Sequence, residues 1–337
     1  MLGGILGLMA AATFAFNNAA ARRGVLTGSV AQAIAITVPI GVPMFLAAAL
    51  MTGSLGVITE FSPMALVYLA AAGIVHFVWG RYCNFRATKA MGANLVGPVQ
   101  QVSLVLTLGL AMLILGESFT PLRAIGLLLV VLGPMLTLPS NGTAGVPAQT
   151  VEPVIAKPAA NAIPPFKANY AEGYLWGLLS AIGYGSSPIL VTLGLESKGL
   201  NGSLAGGLVS YAAATVVAAL ILLWPGQLRH VLSMRPESAK WFTLSGVLVC
   251  VSQMFLYMGF AIAPVSVVAP IMRLSIVFRI YAGWVLNREH EMFGGKVIIG
   301  TLVSLVGAVA LSVSTETVLR HVPLPDAIAD IARWQWP

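Results

Sequence analysis

"GLMAAATFAFNN", residues 7–18, returns 170 positions later as "GLLSAIGYGSSP", residues 177–188. "GPVQQVS" (97–103) likewise aligns with "APIMRLS" (269–275) at an offset of 172, and Gly126 and Gly133 align with Gly300 and Gly307 at 174. A near-constant offset held over three separate segments marks a duplication. The chain reads as two copies of one unit.

Working outward from the matched stretches, each copy contains five apolar runs. A bilayer core about 30 Å thick needs about 20 apolar residues in a helix, and spans are placed at 2–20, 28–51, 64–86, 93–115, 121–138, 173–194, 204–224, 241–262, 264–286 and 296–314. The runs lack the in–out alternation of a membrane barrel, so helices must satisfy their backbones in lipid. Five helices per copy is an odd number, so the second copy crosses in the opposite sense. The expected fold class is therefore an all-α integral membrane protein with ten transmembrane helices as two inverted five-helix repeats. Residues 1–139 and 171–314 are the repeats. Residues 140–170, with Pro147, Pro153, Pro158, Pro164 and Pro165, are a semi-extended linker. Residues 315–337 are a tail whose "PDAIADIARWQWP" fits a short interfacial helix.

Composition agrees with this architecture. The chain is 58% hydrophobic and 9% charged with a mean hydropathy of +0.90, far from the roughly one quarter charged residues of a soluble domain. Its net charge of +7 does not imply nucleic acid, because the basic residues are scattered among short loops. Cys83 and Cys250 both fall in spans and form neither a disulfide framework nor a metal cluster. Residues 1–21 lack the charged start of a signal peptide, and residues 7–18 within them recur at 177–188, which argues for a retained helix.

Loops after the odd-numbered helices hold twelve Lys and Arg residues and the other loops and the tail hold four, the remaining two being Arg273 and Arg279. The positive-inside rule places the twelve on the cytoplasmic side and both termini outside.

The stretch "GPVQQVSLVLTLGLAMLILGE" followed by "AIGLLLVVLG", with its weaker copy "APIMRLSIVFRIYAGWVLNREHE" followed by "IIGTLVSLVG", resembles the drug/metabolite transporter superfamily, in particular EamA-type ten-helix members. The resemblance covers both repeats but neither linker nor tail. It implies a carrier for small metabolites, often an exporter, with a cavity between helices 1, 3, 4, 6, 8 and 9. It also implies cytoplasmic termini, opposite to the charge count, so the orientation stays open.

No Asp or Glu falls in the middle of a span; Glu60, Glu117, Glu172, Glu196, Glu289 and Glu291 lie at ends or in loops. Small multidrug relatives carry a glutamate in the first helix for proton exchange against cationic drugs. This first helix has none, which argues against that activity.

Arg273 lies nine residues into its span, about 13 Å deep at 1.5 Å per residue. At the repeat offset it falls on Gln101, so both copies place a hydrogen-bonding side chain three residues after a proline. It is read either as a substrate-cavity group or as a hydrogen-bonder to carbonyls or Gln101. Arg279 falls on Thr107 and lies near the far end, where a long stem snorkels to water.

Asn17 in the first span pairs with Ser187 in the sixth, and Phe16 with Ser186, beside Pro188. Broken helices line cavities in carriers, but Asn and Ser also join membrane helices by hydrogen bonds. In "HFVWGRYCN", His76, Trp79 or Gly80, and Cys83 share one face at α-helical spacing. His76 is a proton carrier or a helix-to-helix hydrogen-bonder. Trp79 and Tyr82 are cavity-lining or packing residues, and Arg81 is expected to snorkel. Gln253 and Tyr257, four residues apart, are weaker candidates of the same kind.

The function expected is that of an inner-membrane secondary transporter working by alternating access on an anionic, zwitterionic or neutral polar metabolite, of organic-acid or amino-acid type. A non-transporting scaffold or lipid-binding subunit is the alternative. The candidate substrate-binding residues are Arg273, Gln101, Asn17, Ser187, Ser186, His76, Trp79, Tyr82, Gln253 and Tyr257. No HExxH motif or GxSxG elbow occurs, and no enzyme, metal or cofactor is expected. The expected partners are the lipid bilayer and a small-molecule substrate, without nucleic acid. Pairing with a second copy is left open.

Overall fold

Helix α1, Leu2–Thr27, runs seven residues beyond its predicted end at residue 20. The extension carries two arginines, and each finds a carbonyl: Arg22 Nη1 donates to Thr88 at 3.5 Å and Arg23 Nε to Leu286 at 3.0 Å. The helix stops only before Ser29, whose side chain and Gln32 form a capping box that starts the next one. The computed structural model describes residues 2–91, 96, 99, 100, 102–117, 120–136, 169–287, 299, 302, 303, 306, 307, 310, 315–321 and 325–335. Gln101, Glu289, Glu291, Gly300, nearly all of the expected linker and most of the tenth span lie outside the described residues.

Helix α2 spans Val30–Met51 in two parts, Val30–Thr37 and Gly41–Met51. Pro39 has no N–H for the ladder. The Gly41 N–H turns to the Val38 carbonyl at 3.1 Å, leaving the Thr37 carbonyl for a side chain. Helix α3, Pro63–Ala90, begins with Ser62 as N-cap and proline at its first position. Its middle, Ile74–Gly80, is a π-helix. Helices α4, Val102–Leu115, and α5, Pro121–Leu136, complete the first half of the described chain.

The second half opens with α6, Tyr170–Leu195, capped by Asn169 and carrying Pro188 within it. Helices α7, Gly199–Leu222, and α8, Pro236–Ile262, follow. Helix α9 is broken into Val265–Met272 and Ser275–Asn287. A short amphipathic helix, Asp326–Arg333, matches the helix expected in the tail. Among the described residues seven helices are long and apolar enough to cross a membrane, and α4 and α5 are shorter apolar helices. The protein is an all-helical, multi-pass membrane protein.

Helix α1 packs against α8 and both parts of α9, and α6 packs against α3 and α4. Helix α7 fills the angle between α2, α3 and α8. Helix α3 crosses α7 at close range. A Cβ added at Gly73 would lie 2.0 Å from the Ser210 carbonyl oxygen, and the Ser210 hydroxyl donates to the Leu69 carbonyl at 2.7 Å. Such close backbone approach is how membrane helices associate where lipid is as apolar as the protein.

The polar contacts divide between the two ends of the bundle. Arg86 pairs with Glu172 at 2.5 Å where α3 ends and α6 begins. At the opposite end, Glu117 accepts the Val265 and Ser266 N–H groups at 2.8 and 2.9 Å, capping α9. Nearby, Ser62 donates through both its hydroxyl and its N–H to Glu196. The Ser62 hydroxyl, followed by its N–H, holds the Glu196 carboxyl below its ordinary value. A depressed folded pKa adds stability above the unfolded carboxylate pKa of about 4.3 and loses it as pH falls. Comparison of Glu196→Gln with wild type by thermal unfolding should therefore show its largest gap near pH 7, closing as pH drops through the carboxylate range. A gap constant with pH would refute this.

Candidate functional site

The break in α9 follows from "API": Pro270 removes a backbone donor, and the Arg273 N–H bonds the Pro270 carbonyl at 2.9 Å in a tight turn. Arg273 ends this half-helix and projects to α4, where its Nη2 donates to Ser103 Oγ at 2.5 Å. Ser103 passes its own proton to the Gln100 carbonyl at 2.6 Å. The Gln100 amide donates to Asn84 Oδ1 at 2.7 Å and to Ser180 Oγ at 3.3 Å. One polar chain thus ties α9, α4, α3 and α6 together inside an apolar bundle.

A second polar junction centres on His76. Its Nδ1 lies 2.6 Å from Ser187 Oγ on α6, and its Nε2 lies 3.1 Å from Gln253 Nε2 on α8. The glutamine amide can only donate, so Nε2 accepts and Nδ1 carries the proton given to Ser187. In this arrangement the imidazole is neutral. A third junction joins α1 to α8, where Ser245 Oγ donates to Asn17 Oδ1 at 2.6 Å.

These junctions surround a small cavity lined by Asn17, Thr37, His76, Arg81, Asn84, Tyr184 and Ser245, closed by Phe14, Phe85 and Val249. About 10 Å³ is open to the centre of a water molecule, room for one water and not for a metabolite. The structure is closed around its polar centre. A similar hollow, bounded by Asn18, Gln100 and Arg279, shares Asn84 and Phe85 with it.

Asn17 and His76 line the cavity, and Ser187 and Gln253 hold His76. Arg273 joins through the Ser103 chain, while Gln101 lies outside the described residues. Tyr257 is buried in the aromatic core, 6.1 Å from the Phe45 ring. The structure does not bring Trp79, Tyr82 or Ser186 to the cavity. Trp79 is 47% exposed, with its indole donating to the Leu179 carbonyl. Tyr82 packs edge-on against Trp176. Ser186 bonds back to the Ile182 carbonyl of its own helix at 2.9 Å. Arg279 turns inward to the second hollow instead of outward. Its repeat partner Thr107 bonds Ser103 and Gly185 carbonyls, clamping α4 to α6.

The π-helix explains both the misplaced tryptophan and the residue that sequence reading missed. A π-turn bonds residue i to i+5, and here the Arg81 N–H bonds the His76 carbonyl. Residues five apart therefore stand over one another, so Arg81 joins His76 while Trp79 swings away. Arg81 is 4% exposed rather than snorkelling. Its Nη1 donates at 3.3 Å to the Thr37 carbonyl, left open where the Gly41 N–H turns to Val38, and its guanidinium lies 5.2 Å over the Phe77 ring.

No curated protein matches the chain. In fold it is similar to a crystal structure described only as that of a protein, with a TM-score of 0.61 and 16% identity over 96% of this chain and 99% of that one. The first half matches the EamA-like transporter family over residues 1–138. Residues 1–138 of this multi-pass chain are thus similar to the EamA-like transporter family.

Proposed function

We propose that the protein is a secondary carrier of the inner membrane, moving a small anionic, zwitterionic or neutral polar metabolite by alternating access. The observation that carries this reading is the polar centre, where side chains from α1, α3, α6 and α8 meet around His76 and Asn17 in an otherwise apolar bundle. A broken α9, a π-turn in α3 and Pro188 in α6 all flank it, as discontinuous helices flank the sites of carriers. The mirrored packing, α1 on α8 and α9 against α6 on α3 and α4, supports two inverted five-helix repeats, 1–139 and 171–314, joined by a linker. The substrate is read as bound between them by Asn17, His76, Ser187, Gln253 and Arg273, with Gln101 as the repeat partner of Arg273.

Uptake of a metabolite panel into proteoliposomes tests the reading. Arg273→Ala should reduce transport of the accepted substrate roughly tenfold, about 1.4 kcal/mol, since it removes one charged hydrogen-bond donor at the edge of the site. A cysteine placed at Asn17 should react with a water-borne thiol reagent from one side; Cys83 and Cys250 are buried and add little background. A protected cysteine together with no uptake of any solute would favour a scaffold.

A further inference from the structure

We propose that the central cavity is a carboxylate site whose charge-recognising group is Arg81, so that the carried metabolite is an organic anion. This rests on the carrier reading for its transport consequence, but not for binding. Arg81 Nη2 has no hydrogen-bond partner, and neither has Thr37 Oγ1 in the same cavity. The Tyr211 hydroxyl comes within hydrogen-bonding reach of the Arg81 side chain, but it is not aligned for a bond, and both it and Arg81 Nη2 stay without a partner. Among the described residues no carboxylate lines the cavity, and the ion pairs, Arg86–Glu172, Lys198–Glu60 and Arg333–Asp330, lie at helix ends or in the tail.

A buried guanidinium without a counter-charge is costly, because one carbonyl and one aromatic face replace only part of its hydration. A carboxylate supplies what is missing. The guanidinium presents its donors as a fork matched to two carboxylate oxygens, and the Thr37 hydroxyl adds a third donor beside it. Arg273 is tied to the cavity wall through Ser103, Gln100 and Asn84. Two cations and, among the described residues, no acid set a positive potential that favours anions and rejects cationic solutes.

The test is thermal stabilisation of the purified full chain by paired probes, succinate and glutarate against succinamide and glutaramide. Ligand binding to the folded state raises the unfolding midpoint. The acids should stabilise wild type and the amides should not. Arg81→Gln should weaken acid binding on the order of 100-fold, with Arg81→Lys between the two. Thr37→Val keeps the backbone carbonyl that Arg81 uses and removes only the unpartnered hydroxyl. A merely structural threonine would leave acid binding unchanged, whereas the site requires a loss of about tenfold. Stabilisation by amides equal to that by acids, no stabilisation by either acid, or acid binding unaltered in both Arg81→Gln and Thr37→Val would overturn the proposal. Acids that bind but never cross proteoliposomes would sink the carrier reading and leave the anion site standing.

Discussion

Gly73→Val is expected to leave little folded protein, whereas Gly56→Val is expected to behave as wild type. Even a Cβ at position 73 would sit 2.0 Å from the Ser210 oxygen and 2.6 Å from its carbonyl carbon, both backbone atoms of α7. No side-chain rotation relieves that overlap, so α7 must move away from α3. The Ser210 to Leu69 hydrogen bond would be lost with it. Overpacking and a broken buried hydrogen bond together cost on the order of 4 kcal/mol or more. At Gly56 an added Cβ meets nothing within 4 Å. The monodisperse fraction and thermal midpoint in detergent report the difference. Equal yields and midpoints for the two variants would contradict the close crossing.

Glu117→Ala is expected to lower stability by about 2–3 kcal/mol, measured as reversible unfolding in mixed micelles. Its carboxylate takes the first two N–H groups of α9, which have no partner within the helix. Helix N-termini also favour negative charge. Glu117→Gln keeps a carbonyl oxygen for one N–H group and should recover part of the loss. If alanine and glutamine variants matched wild type, the cap would have no energetic role. Gly116, at φ +64°, makes the turn that brings the glutamate across to α9, and a left-handed φ suits glycine best.

The motif "GE" at residues 116–117 illustrates what could be read from sequence. The pattern was visible, but its role as a cap on another helix was not, because the partner lies about 150 residues away. Seven of the ten expected spans were legible because apolar length alone marks them. Thr27 was missed as the end of α1 because arginines look like a stop until their carbonyl partners are seen. Asn17, His76 and Ser187 stand out in the sequence because polar residues in lipid are few, and the structure places them at the polar junctions. Trp79 and Arg81 exchanged places for one reason. Their faces were assigned at α-helical spacing, and the π-turn adds one residue to the register between His76 and Arg81. No residue in "IVHFVWG" announces that insertion. It depends on how α3 packs over α6, where Gly183 lies against Gly80 and Trp79.

The absence of acids from the described cavity wall has an electrical consequence. Moving one elementary charge through 100 mV is worth about 2.3 kcal/mol. In the alternating-access cycle proposed above, opening the cavity to alternate sides would change the stretch of protein across which the membrane field falls relative to Arg81 and Arg273. The unloaded protein would then carry that positive charge through the field. A bound monoanion would cancel part of it, so on this proposal voltage acts most strongly on the unloaded half of the cycle.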